Sequence, residues 1–233
     1  MALNLDRKPY PGIGNVYMLC SNYYKWCQLN DKKPIIFTTT PEKIIGIKKN
    51  IFEITNKTSE PFIDIPLSLN TLFNLKICGY LHKIVDVPEC DLPSDIKAGF
   101  SFRFGDDKFD DKFTFMNDSG AAAMCEHIKK YDRVFVCSNK NSFIEKLKKD
   151  FGNEKIFSVN DSGEDNRFNA SHLKQWVLLS KCPIVYHSVR TKNGGDTNEF
   201  TSTFAPTAGV YGGCEIVGVD NWGNQFHGPT YYW

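Results

Sequence analysis

The sequence has almost no net charge. Lysine and arginine number 28 against 27 aspartates and glutamates, a formal charge of +1. That balance excludes a protein held to nucleic acid or another polyanion by bulk electrostatics. Long hydrophobic runs are missing too: none approaches the roughly 18 apolar residues of a membrane helix. Met1 to Pro11 holds no apolar stretch of the secretory kind, so the expectation is a protein without a secretory signal, acting in the cytoplasm. The eight cysteines form no CxxC pair and no Cys/His cluster with zinc spacing. Most of them lie inside apolar segments, where free cysteine acts as a small hydrophobe. Cys20, Cys27, Cys137 and Cys182 are therefore expected to be buried, reduced thiols. Aspartates are plentiful, but no D-x-D with apolar flanks is among them, and this argues against a metal-held diphosphate.

A core is well provided for. Hydrophobic residues make up 41% of the chain and aromatic residues 14%. In Lys97 to Lys108, Phe100, Phe102 and Phe104 alternate with Ser101 and Arg103, the period of a strand. Gly105 breaks that strand, and Asp106 and Asp107 begin a polar loop. An arginine at the carboxyl end of a strand suits a phosphate, because its planar fork donates two hydrogen bonds and keeps its charge.

Upstream, Pro11 to Asn15 reads as a turn-rich loop. It leads into a helix over Val16 to Leu29, with Asn15 as the N-cap and Val16, Leu19, Cys20, Tyr23, Trp26 and Cys27 on one face. Pro34 to Phe37 reads as a short strand. Residues 40 to 96 are broken by prolines and predict loops and short helices, with one strand near Leu81 to Val87. The second half alternates more clearly: a helix from about Ser119 to Tyr131, a strand over Arg133–Cys137, a helix over Ser142–Asp150, a strand over Lys155–Val159. A helix over Ser171–Cys182, a strand over Pro183–His187, a small-residue helix after Thr201 and a strand over Cys214–Val219 complete the series. Alternation with short links predicts a parallel sheet covered by helices, with ligands at the carboxyl ends of the strands. The loops after Phe104, Cys137 and His187 would then share one crevice. Ser202 and Thr203, at the start of a helix, offer a ready anion site there.

Three of these stretches carry a resemblance. Gly12-Ile13-Gly14-Asn15 before a helix, Ala98 to Asp106 with Arg103 at its centre, and Trp176 to Cys182 followed by a strand and Ser202-Thr203-Phe204 resemble motifs of the fucosyltransferase superfamily. This superfamily includes the protein O-fucosyltransferases and the α1,2- and α1,6-fucosyltransferases. The resemblance covers roughly residues 12 to 38 and 97 to 213. Two departures stand out. The family's motif histidine is Ser101 here, and an insertion over Lys192 to Thr197 lengthens the loop before Ser202. The Lys-, Asn-, Ile- and Phe-rich composition fits a large DNA virus or a microbe.

The resemblance implies an α/β, GT-B-like fold. Residues 1–96 would form a reduced N-terminal lobe on the acceptor side, and residues 97–233 a Rossmann-like lobe that binds the nucleotide sugar. It implies an inverting, metal-independent transfer of a deoxyhexose, fucose from GDP-fucose, to a glycan or protein acceptor, with no cofactor. In that scheme Arg103 stabilises the departing diphosphate, and Ser202, Thr203 and Phe204 cradle it. Gly14 and Asn15 close the site from the other lobe, and Ser138, Asn139 and Asp161 meet the guanine. Asp106 and Asp111 are the candidate general bases. The alternatives are a rhamnosyltransferase using GDP- or UDP-rhamnose, and a non-catalytic nucleotide-sugar or glycan-binding module, which the serine at position 101 favours. A phosphatase lacks support, since there is no C-x5-R loop.

Overall fold

The first strand of the chain is its shortest route into the core: Ala2 and Leu3 are buried at the centre of a sheet. The computed structural model describes residues 1–6, 12–63, 80–104, 116–159, 170–189 and 203–227. Within them, β1 (Ala2–Asn4), β2 (Ile35–Phe37), β3 (Glu53–Thr55) and β4 (Phe62–Ile63) form a four-stranded sheet in the order β3-β2-β1-β4. All of its pairings are parallel. Helix α1 (Ile13–Leu29) connects β1 to β2.

The second sheet has six strands in the order β10-β9-β8-β5-β6-β7. They are β5 (Ala98–Phe102), β6 (Val134–Ser138), β7 (Ile156–Phe157), β8 (Ile184–Ser188), β9 (Glu215–Val219) and β10 (Gln225–His227). The first five pair in parallel. Only β10 runs antiparallel, against β9. The intervening helices are α2 (Leu81–Ile84), α3 (Asp118–Ile128), α4 (Asn141–Phe151), α5 (Ala170–Ser180) and α6 (Phe204–Gly212). The expected alternation of strand and helix therefore holds through the second half, with boundaries displaced by one to three residues. Strand β10 was not expected.

Two other expectations are corrected. The segment near Leu81 to Val87 is a short helix, α2, and only Val85 makes an isolated bridge, to Ile47. Leu81 and Ile84 are both buried; at a spacing of three they share one face of a helix, whereas in a strand they would point to opposite sides. Helix α1 begins at Ile13, so its N-cap is Gly12, not Asn15. Gly12 turns the chain with φ at 129°, a conformation that favours glycine.

Burial divides around the second sheet. Phe100, Phe102, Val134, Val136, Tyr186 and Val217 face a cluster with Met124, Ile128 and Leu147 of α3 and α4. The opposite face joins Phe135, Cys137 and Val185 to Trp176 and Leu179 of α5, Ala205 and Ala208 of α6, and Tyr17 and Cys20 of α1. That second cluster continues to Leu3 and Ile36 of the first sheet, so one core spans both. The cysteine expectation holds: Cys20, Cys27, Cys137 and Cys182 are buried and free. Burial pushes the Cys137 thiol up to about 12, which keeps it protonated and inert. No described helix is long and apolar enough to cross a membrane.

Candidate functional site

Parallel strands that end together bring their exit loops together, and here the exits of β5, β6 and β8 adjoin. Phe102 pairs with Ser138, and Ser101 with His187. Arg103 is the first residue beyond β5 and half-buried. Side chains alternate along a strand, so Arg103 leaves on the same face as Gly99 and Ser101. A Cβ on Gly99 would lie 2.8 Å from Cys182 Sγ and 2.9 Å from Leu179, which identifies that face as the one beneath α5 and α6.

Helix α6 follows β8 and returns to β9, so its N-terminus lies at the same carboxyl edge of the sheet. Thr203 is its N-cap residue, yet its hydroxyl does not cap the helix. Thr203 Oγ1 donates instead to Asn15 Oδ1, at 2.9 Å. Asn15 sits in the first turn of α1. The neighbouring Gly14 is closer still: a Cβ there would fall 2.7 Å from the carbonyl carbon and oxygen of Thr203 and 2.8 Å from the Phe204 nitrogen. The N-terminal turns of two helices therefore meet head against head. Each contributes uncapped N–H groups and a partial positive charge. Neither first turn contains an acidic residue. Two positive ends in contact, with no acidic residue in either first turn, make an electrostatic setting for an anion.

The start of α6 is held from behind. Thr207 Oγ1 donates to the Thr203 carbonyl at 2.7 Å and accepts from Trp176 Nε1 at 3.0 Å. Trp176 is fully buried and packs edge-on against Tyr17 of α1, with centroids 5.0 Å apart. One tryptophan thus ties α5, α6 and α1 around the junction. Sequence reading singled out Trp176 as part of a motif but missed Thr207, whose role needs the tertiary contact.

The other expected site residues fall as follows. Ser138 is buried at the end of β6, and its Oγ accepts from the Lys140 N–H at 3.1 Å. Asn139, one residue on, is exposed, and its carboxamide engages the Phe104 backbone: Oδ1 accepts from the N–H at 2.9 Å and Nδ2 donates to the carbonyl at 3.2 Å. Ser188, not singled out from the sequence, accepts the Arg103 N–H at 3.0 Å. His187 lies in β8 beside Ser101, with only 1% exposed. Burial drives its pKa down to about 4, so the ring is neutral near pH 7. Asp106, Asp111, Asp161 and Ser202 lie outside the described residues. Among the described residues, no group of three or more metal-ligating side chains converges.

The Gly14 contact gives a test by sign. Glycine to alanine inside a helix ordinarily stabilises by about 0.5–1 kcal/mol. Here the new methyl would meet backbone atoms that cannot rotate away, so Gly14→Ala is expected to destabilise by about 1–3 kcal/mol. Urea unfolding measures it; a variant as stable as the parent or more so would show that the two helices do not touch in solution.

No protein-family model matches this sequence, and no curated protein matches it by sequence. Solved structures do match in fold. NodZ α1,6-fucosyltransferase co-crystallised with GDP aligns with a TM-score of 0.56 at 14% identity, covering 93% of this chain and 94% of that one. The fucosyltransferase NodZ from Bradyrhizobium gives 0.56 at 15%, with the same coverage. The NodZ enzyme soaked with GDP-fucose gives 0.54 at 13%, over 93% and 95%. The parallel four-stranded sheet, the mostly parallel six-stranded sheet and their helices are thus arranged as in the NodZ structures, a GT-B-like α/β fold.

Proposed function

We propose that this chain is an inverting, metal-independent glycosyltransferase that moves a deoxyhexose, fucose from GDP-fucose, to a glycan or protein acceptor. The observation that carries the reading is the junction of Gly14 and Asn15 with Thr203 and Phe204, where two helix N-termini share one place. A diphosphate there would be held by backbone amides without a metal ion. Arg103, at the same edge and on the same face of the sheet, would meet the charge that builds on the leaving diphosphate as the glycosidic bond breaks. The NodZ structures with GDP and GDP-fucose support the choice of guanine nucleotide. Residues 97–233 would form the donor side and residues 1–96 the acceptor side. Asp161 and Ser138 are the candidates for contact with the base, and Asp106 or Asp111 for the base that accepts the acceptor's proton. Seven free cysteines among the described residues support action in a reducing, cytoplasmic setting.

Thermal unfolding with nucleotides tests this directly. A ligand at a hundredfold excess over its Kd stabilises by about 2.7 kcal/mol, which for a chain of this size raises Tm by roughly 5–10 °C. The expected result is that rise with GDP in the presence of a chelator. A rise only with Mn²⁺ or Mg²⁺ present would overturn the metal-free reading. A rise with UDP alone would replace guanine and favour the rhamnosyl alternative.

A further inference from the structure

We infer that Asn139 and Ser188 are positioning residues for Arg103, and that Asn139 does not read the nucleotide base. The inference rests on the donor-site reading above. The ladder between β5 and β8 ends at the pair Ser101–His187, and that between β5 and β6 at the pair Phe102–Ser138. Among the described residues, no strand pairing of β5 continues beyond those pairs. Side chains take over on both flanks. On the β8 side, the Ser188 hydroxyl, itself 1% exposed, accepts the Arg103 N–H. On the β6 side, the Asn139 carboxamide closes on both polar groups of Phe104, N–H and carbonyl. A carboxamide used in both senses copies the two bonds that a neighbouring strand would supply.

The effect is to extend the sheet by two residues without extending its strands. Arg103 becomes part of a rigid element, although it stands where a loop begins. The Phe104 ring is held as well, 4.8 Å from Phe143, which also meets Phe102 at 4.9 Å. A guanidinium that must meet charge at one place is useful only if its backbone does not swing, since misplacement by about 1 Å costs on the order of a hundredfold in rate. The two clamps hold the peptide units on either side of the Arg103 Cα. Asn139 reaches the backbone with both ends of its amide, and this use of its polar atoms opposes the base-reading role that its place after β6 suggests.

Binding alone separates the alternatives, because GMP carries the base without the β-phosphate. Titration calorimetry with GDP and GMP would be run on the full chain and on Asn139→Ala, Ser188→Ala, Ser188→Thr, Arg103→Ala and the double variant Asn139→Ala/Arg103→Ala. Both alanine variants are expected to keep GMP affinity within about twofold and to lose about five- to tenfold of the preference for GDP, as a misaimed charge-assisted contact would. Ser188→Thr, which keeps the hydroxyl, should restore it. In the double variant the preference should fall no further than in Arg103→Ala alone. An equal loss for both nucleotides in Asn139→Ala would make Asn139 a base reader and overturn the inference. An unchanged GDP preference in both alanine variants, or a further full loss in the Arg103→Ala background, would overturn it while leaving the donor-site reading intact. A parent chain that prefers neither nucleotide would overturn the donor site, and the inference with it.

Discussion

Arg103→Ala is expected to lower turnover by about 10²–10³, the usual cost of losing one preorganised donor to a developing charge, with a much smaller loss of donor affinity. The reason is where the charge develops. In the bound nucleotide sugar the β-phosphate shares its charge through the glycosidic bond. As that bond breaks the leaving oxygen gains charge, so a guanidinium beside it binds the transition state better than the ground state. Arg103→Lys should recover only part, because the ammonium keeps the charge and loses the two-pronged fork. The fold should tolerate both changes. Arg103 is half-buried, and its backbone N–H donates to Ser188 Oγ, a bond that substitution at position 103 leaves in place. Steady-state turnover and donor affinity for both variants, with circular dichroism as control, measure the effect. Turnover of Arg103→Ala within a few-fold of the parent would take this residue out of the chemistry.

The parallel sheet was legible in the sequence because a buried strand and an amphipathic helix each leave a local signature. Val134 to Ser138 is apolar almost throughout, and Ile144 and Leu147 show helical spacing on their own. The start of α1 was misread because Asn15 has the residue type of an N-cap, while its side chain is drawn to Thr203, 188 residues away. No local rule holds that information. The same is true of Ser188 and Thr207, whose hydroxyls act on Arg103 and Thr203 only after β8 and α6 have docked. Asn139 was legible as a strand-end polar residue, but not the direction in which its amide turns. The short strands of the first sheet were legible only in part. Two- and three-residue strands carry no alternation, and Phe62–Ile63 and Glu53–Thr55 are fixed by their pairing with β1 and β2.

The second large effect is one of pH, and it comes from His187. Its pKa of about 4 lies well below the 6.5 of an imidazole in water, because a ring with 1% exposure loses the solvation its cation needs; the bond between Nδ1 and the Ser188 carbonyl, at 3.2 Å, opposes the shift without cancelling it. Above pH 6.5 the ring is neutral in both folded and unfolded chains, and stability does not respond to it. Between pH 6.5 and 4 the unfolded chain takes up a proton that the native state refuses, so stability falls as pH falls. Below pH 4 both states are protonated and the loss is complete, at about 3 kcal/mol. Other groups titrate in acid too. Burial alone would raise the Asp6 carboxyl, but hydrogen bonds from Thr39, Lys43 and Thr38 outweigh it and hold the group at about 2, so its contribution is lost only below about 3.8. The His187 contribution is therefore read by difference. His187→Asn keeps a donor near the Nδ1 position and has nothing to titrate. The variant is expected to be less stable than the parent at pH 7.5, because the smaller side chain leaves space in the core. Its urea midpoint should then fall more shallowly than the parent's from pH 6.5 to 4, so that the two converge or cross in acid. Parallel profiles over that range would show that the imidazole reaches solvent, and that the end of β8 opens in solution.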